Sequence, residues 1–308
     1  MIYITDKKRI IQTFHKHEII PIIGDIPHFT INNTGKWVKL KLMYLAPTGR
    51  QIIIKKLQPE ILFFTGFSCK EYLYKNMINF LKNRINEHFS SFLKIKKKIP
   101  PMNIRVCDWT KAVHKHGLDK YITDLTKKVK SQRIILIGHS WGCQVSSRFA
   151  AMNLDRCYRF ILLDYHPIKK PITKIRNKKL LVDGFFPKCS MYNMNFLKAK
   201  VMKSMDISKI GVSKYILEDK LLGKKLRNIP TTLVYATGII IKDKEIQHYC
   251  ITRKNRTQLL KDNTTFFQKA NKSVKILTII RGSHFWFMTD KYNKIMLDIW
   301  EIICNSLF

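Results

Sequence analysis

The sequence predicts an α/β domain, with a mostly parallel central sheet, helices on both faces and an antiparallel hairpin near the start. Three observations predict it. Short apolar, β-branched runs recur at residues 60–65, 134–137, 159–164, 231–238 and 275–280, as in strands buried on both faces. Stretches of helical character separate them, the order of βαβ units. Near residue 37 the hydrophobic period is two, which marks a half-exposed strand in a hairpin.

The elements follow in order. Thr5 can cap a short helix carrying Ile10, Ile11 and Phe14 on one side and Lys7, Lys8, Arg9 and Lys16 on others; it ends before Pro21. Such a basic amphipathic segment either packs on the body or lies on a membrane. From Lys36, Trp37, Lys39 and Lys41 alternate with Val38, Leu40 and Leu42, Pro47-Thr-Gly-Arg50 supplies a turn, and Gln51 to Leu57 continues as a second strand at one edge of the sheet. The run at 60–65 ends in Gly66-Phe67-Ser68-Cys69, and residues 71–85 suit a helix. Lys94 to Pro101 is a basic loop, either a solvated face or a polyanion contact. Residues 103–108 form a strand, 109–117 a loop, and 118–130 a basic helix.

The next run, Arg133-Ile-Ile-Leu-Ile137, stops at Gly138-His139-Ser140-Trp141-Gly142, and a helix follows to about Asn153. Gly-x-Ser-x-Gly between a strand and a helix is the setting of a nucleophile elbow. A serine at the tip of so sharp a turn sits in strained backbone, and small residues are needed two positions either side, where strand and helix nearly touch. The bland alternative is a plain βα turn.

On these residues the chain resembles the α/β-hydrolase superfamily, from about Lys36 to the end. The resemblance implies that Ser140 is a nucleophile, that the Trp141 amide is one oxyanion donor and that the Phe67 amide is the second. Thr65 stands where the family commonly has His, a departure a backbone donor tolerates. It further implies that residues 167–229, which break the strand–helix rhythm, are an inserted cap within a single domain spanning 1–308. Phe185, Phe186, Met191, Met194, Phe196, Leu197, Val201 and Met202 then either line an acyl pocket or form the cap's own small core. His284, in Arg281-Gly-Ser-His-Phe after the last strand, takes the base position, ahead of a closing helix over 291–307. The acid is expected in the loop after the 231–238 strand. Asp243 is the first choice although it falls late in that loop, with Glu245 a near neighbour and Asp164, ending the strand after the elbow helix, the alternative. The order Ser, acid, His is the family's own.

The implied chemistry is a serine hydrolase acting on acyl, lipid-like carboxylic esters, with acyl thioesterase as the alternative and an amidase or peptidase also open. No cofactor or metal is implied; His114-Lys-His116 lacks a carboxylate or thiol at ligand spacing.

Charge sets the rival reading. Lys and Arg total 57 against 21 Asp and Glu, a formal net charge of +36. A field of that sign draws polyanions, so a catalytically inactive hydrolase-fold protein binding nucleic acid or an anionic membrane is the alternative. The competing origin is compositional, since Lys, Ile and Asn are all abundant and the lysines are spread along the chain. Seven scattered cysteines without a CxxC pair read as reduced thiols. With no apolar leader at the start and no run near the roughly 20 residues that span a bilayer, the chain is expected in the cytoplasm, either free or peripheral to a membrane.

Overall fold

A computed structural model describes residues 29–32, 37–40, 59–93, 103–186, 194–217, 226, 228–242, 244–246, 251–270, 274–279, 282–289 and 292–307. The chain divides into two units, 1–58 with Phe308, and 59–307. In the first, β1 (Phe29–Asn32) pairs antiparallel with β2 (Trp37–Leu40), Phe29 opposite Leu40 and Asn32 opposite Trp37. The strand read at Trp37 is therefore present, paired with the residues before it. Its expected partner, 51–57, and the turn at Pro47 lie outside the described residues, as does the helix expected after Thr5.

In the second unit, β3 (Glu60–Phe64), β4 (Asn103–Cys107), β5 (Ile134–His139), β6 (Cys157–Leu163), β7 (Thr231–Ala236) and β8 (Lys275–Ile279) form one six-stranded sheet in the order β4-β3-β5-β6-β7-β8. Every pairing is parallel. β3, β5 and β7 are buried along their whole length, which is why residues 61–64 and 134–137 read as apolar runs. The edge strand β8 exposes Lys275, Ile276 and Thr278.

The helices are α1 (Lys75–Leu93), entered through a 3-10 turn at Glu71–Tyr74, α2 (Thr110–His116), α3 (Leu118–Lys128), α4 (Gly142–Met152), α5 (Lys178–Gly184), α6 (Asn195–Ser204), α7 (Arg253–Ala270) and α8 (Asn293–Leu307). α3 buries Leu118, Ile122 and Leu125 on one stripe, with Asp119 in its first turn and Lys127 and Lys128 in its last, charges that suit the two ends of a helix. α2 stands where a loop was expected. It buries Thr110 and Val113 and is stopped by Gly117, whose φ of 82° lies in the region that favours glycine. Its His114 and His116 are exposed and, two residues apart, do not share a helix face. Between β6 and β7 the described residues hold α5, α6 and a 3-10 turn at Ile207–Lys214, with no strand.

This topology fixes where a site can form. After β3 the chain crosses to β4 on one side and returns to β5 on the other, so the winding reverses between β3 and β5. The crevice at the carboxyl ends of the strands flanking such a reversal is where open α/β sheets bind ligands. The fold itself rests on core burial remote from that crevice: Ile122→Ala, deleting a fully buried side chain of α3, should cost about 2–4 kcal/mol in urea unfolding.

Candidate functional site

Three non-glycine residues among those described have positive φ: Ser68 at 52°, Ser140 at 54° and Asp164 at 54°. All three follow the carboxyl ends of adjacent strands, β3, β5 and β6. Backbone strain of this kind costs about 1–3 kcal/mol per residue and collects at functional sites.

Ser140 forms the elbow. Its amide is held by the Leu163 carbonyl at the end of β6 (2.9 Å), and its own carbonyl accepts the Cys143 amide as α4 begins (3.0 Å). The flanking glycines are demanded by space. A Cβ on Gly138 would lie 2.5 Å from Ser146 Oγ and 2.7 Å from Cys143 Cα; one on Gly142 would lie 2.2 Å from the Thr65 carbonyl oxygen. The elbow is thus pressed against α4 on one side and the end of β3 on the other.

His284 lies in the loop after β8, 2% exposed. Its amide donates to the Phe185 carbonyl (2.8 Å), and its ring stacks on Phe185 at 4.6 Å. Its Nδ1–H donates to Asp164 Oδ2, which leaves Nε2 as the basic nitrogen. The second oxygen of Asp164 accepts from Arg256 Nη2 of α7 (2.9 Å) and from the Ala236 amide (3.2 Å). Arg256 Nη2 also donates to the Ala236 carbonyl, and Nη1 donates to His166 Nε2 (3.1 Å). A guanidinium can only donate, so the proton of His166 sits on Nδ1. The 3.4 Å approach of His166 Nε2 to Asp164 Oδ1 is then a contact rather than a hydrogen bond.

The carboxyl of Asp164 is fully buried, and burial alone would raise its pKa; the Arg256 guanidinium, with hydrogen bonds to its oxygens, holds it well below the usual carboxylate range. Burial pushes the His166 imidazole down to about 4, against the opposite pull of Asp164. Burial also pushes His139 well below its ordinary value, and His284 beside it adds to the effect.

Ser140, His284, Phe67 and Trp141 line one pocket, together with Cys69, His166, Ile175, Leu181, Phe185, Met205, Ile241, Ile246 and Phe285. Among the described residues, no hydrogen bond joins the Ser140 hydroxyl to His284; such pairs commonly tighten only in the complex with substrate. The amides on either side of Phe67 are occupied: Gly66 donates to Tyr74 Oη (2.7 Å), Ser68 to Thr110 Oγ1 (2.8 Å) and Cys69 to the Gly66 carbonyl (3.0 Å). Among the described residues, the amides of Phe67 and Trp141 donate to none.

Asp243, the first choice for the acid, lies outside the described residues. Glu245 is buried and makes no bond to His284 among the described residues. The carboxylate on the ring is Asp164, the alternative. Asp164, His166 and His284 hold their ligand atoms within 4.8 Å of one another, but Arg256 and the His284 Nδ1 proton already engage the lone pairs a cation would need, and the guanidinium repels it. The set does not fit a metal. Arg256 and His166 carried no signal in the sequence; Arg256 is one of 57 basic residues.

The sequence matches no protein-family model and no curated protein. Solved structures do match. A carboxylesterase structure from the thaumarchaeon Nitrososphaera gargenis is 11% identical over 82% of this chain and 93% of its own, with a TM-score of 0.52. A lipase-esterase related protein from Clostridium acetobutylicum ATCC 824 is 14% identical over 82% and 96% (TM-score 0.47), and an α/β superfamily hydrolase from Oenococcus oeni PSU-1 is 13% identical over 81% and 92% (TM-score 0.47). This is the α/β-hydrolase fold. Within it, Ser140 follows β5, His284 lies in the loop after the last strand, and Asp164 follows β6.

The buried imidazoles give a pH dependence. The folded pKa of His166, about 4, lies below the ordinary 6.5, so the stability it confers is full above about pH 6.5 and is lost as pH falls toward 4, about 3 kcal/mol in all. His139 acts in the same direction. Urea midpoints should therefore drop steeply between about pH 6.5 and pH 4; a flat profile there would mean these rings protonate in place at no cost.

Proposed function

We propose that the protein is a serine hydrolase that cleaves acyl esters, with Ser140 as nucleophile, His284 as general base and Asp164 as the acid of the triad. The observation that carries this reading is one pocket lined by Ser140 and His284, with a buried carboxylate fixing the Nδ1 proton of the base. His284 Nε2 takes the Ser140 proton as the hydroxyl attacks the ester carbonyl. The amides of Trp141 and Phe67 hold the oxyanion, each worth about 2.7–4 kcal/mol in other hydrolases. The imidazolium gives its proton to the leaving alcohol, and water then releases the acyl group by the same steps in reverse order. Asp164 holds the ring in one tautomer and stabilises its charged form.

The substrate side of this reading leans on the pocket wall. Ile175, Leu181, Phe185, Met205, Ile241 and Ile246 suit an acyl chain, and the solved structure with the TM-score of 0.52 is a carboxylesterase. An acyl thioester offers the same acyl group, so paired p-nitrophenyl and coenzyme A substrates of equal chain length separate esterase from thioesterase. A fluorophosphonate probe should label the wild type and not Ser140→Ala. Asp164→Asn should lower kcat about 10³- to 10⁴-fold, whereas Asp243→Asn should leave it within about three-fold; the reverse ranking would move the acid to Asp243.

We further propose that the region between β6 and β7 is a cap that brings the pocket to an anionic lipid surface. Cys69, Leu181 and Met205 line the pocket, and Tyr72, Leu180 and Phe196, beside them in the chain or on the adjoining α6, are 45%, 42% and 65% exposed. Lys198 and Lys200 lie among them, Lys200 Nζ 4.3 Å from the Phe196 ring centre. No helix among the described residues is long and apolar enough to cross a membrane, so binding would be at the surface. Phosphatidylserine vesicles should retain the protein at about 0.1 M salt and release it near about 1 M, with Phe196→Ser weakening retention; equal retention on phosphatidylcholine, or on heparin without effect of Phe196→Ser, would sink the idea.

A further inference from the structure

His139 fills the variable position before the serine in Gly-His-Ser-Trp-Gly. It is fully buried and absent from the pocket wall, yet both its nitrogens are bonded. Its Nε2 lies 2.9 Å from the backbone carbonyl of His284. A carbonyl can only accept, so the proton is on Nε2 and Nδ1 carries a lone pair. The Tyr74 hydroxyl, 2.9 Å from Nδ1, therefore donates to it. Tyr74 Oη in turn accepts the Gly66 amide proton (2.7 Å). The donors run in one direction: Gly66 N–H to Tyr74, Tyr74 O–H to His139, His139 N–H to the His284 carbonyl.

Each end of this chain abuts a residue of the proposed machinery. Gly66 precedes Phe67, His139 precedes Ser140, and the last acceptor belongs to His284 itself. We propose that Tyr74 and His139 are positioning residues, and that this buried chain sets the spacing of the Phe67 amide, the Ser140 hydroxyl and the His284 ring. The inference rests on the hydrolase reading of Ser140 and His284.

The surroundings support a built device. A Cβ on Gly66 would fall 2.9 Å from His139 Nδ1 and 3.3 Å from Tyr74 Oη, so glycine at 66 is what lets the two side chains meet beneath the loop. Phe287 stacks on the Tyr74 ring at 5.1 Å and meets His139 edge-on at 5.0 Å, holding both in place. The chain also works in one protonation state only. A proton on His139 Nδ1 would point at Tyr74 Oη, which already accepts from Gly66, and the direction of the donors would be lost.

Tyr74→Phe keeps the stacked ring and removes only the hydroxyl. Esterase kcat should fall about 10- to 100-fold, as expected for a misplacement on the order of an ångström, with KM within about two-fold and the rate of fluorophosphonate labelling falling in parallel. Ile122→Ala, which destabilises the fold without touching the chain, should leave kcat unchanged at a temperature well below its midpoint. A Tyr74→Phe kcat within about two-fold of an active wild type overturns the positioning role alone; a wild type that neither labels nor turns over brings down the hydrolase reading and this inference with it. Long-range ¹H–¹⁵N spectra of the wild type give a readout that needs no variant to fold. They should show His139 neutral, protonated at Nε2, from about pH 8 to about pH 5. The Nδ1–H tautomer, or titration in that range, overturns the chain as drawn.

Discussion

No side chain fits between the start of α4 and the end of β3. At Gly142 even a methyl group would overlap the Thr65 carbonyl, and the geometry beyond depends on that approach. It brings the elbow to within ring contact of the following loop, Trp141 and Phe67 packing with centroids 4.7 Å apart. Both residues line the pocket with Ser140, and their backbone amides donate to no described residue. The reversal of winding between β3 and β5 creates the crevice, and the missing Cβ atoms let its two walls close.

The second constraint is electrostatic. Asp164 has no solvent, so its charge is carried by neighbours: an imidazole on one oxygen, a guanidinium and an amide on the other. Removing one partner of such a pair typically costs about 3–5 kcal/mol because the other charge is left buried. The compensation has a chemical side. A cation on Oδ1 draws charge away from the oxygen that faces His284, so the field at the imidazole is set by α7 as well as by the carboxylate.

The central sheet was legible because strands buried on both faces favour apolar and β-branched side chains, which residues 61–64, 134–137 and 231–236 supply. Ser140 was legible because its sharp turn constrains its neighbours to glycine, and His284 because the resemblance places a histidine in the loop after the last strand. The carboxylate was harder. Asp164 and Asp243 both end or follow apolar runs, and only the spacing of β6 against β7 puts an Asp164 oxygen on the Ala236 amide. The hairpin was half legible: the period of two marks Trp37–Leu40, but the alternation does not say which residues pair with it, and Phe29–Asn32 do. Arg256 and Tyr74 could not be found at all, since each acts through a partner more than 60 residues away.

Arg256 reaches Asp164 from α7, a helix otherwise rich in polar side chains. One guanidinium therefore serves both as a tether of that helix to the sheet and as the counter-charge of the buried carboxylate. Local breathing that lifts α7 would strand a bare carboxylate beneath the imidazole while the six strands stay paired. Warming should part that ion pair before the sheet melts.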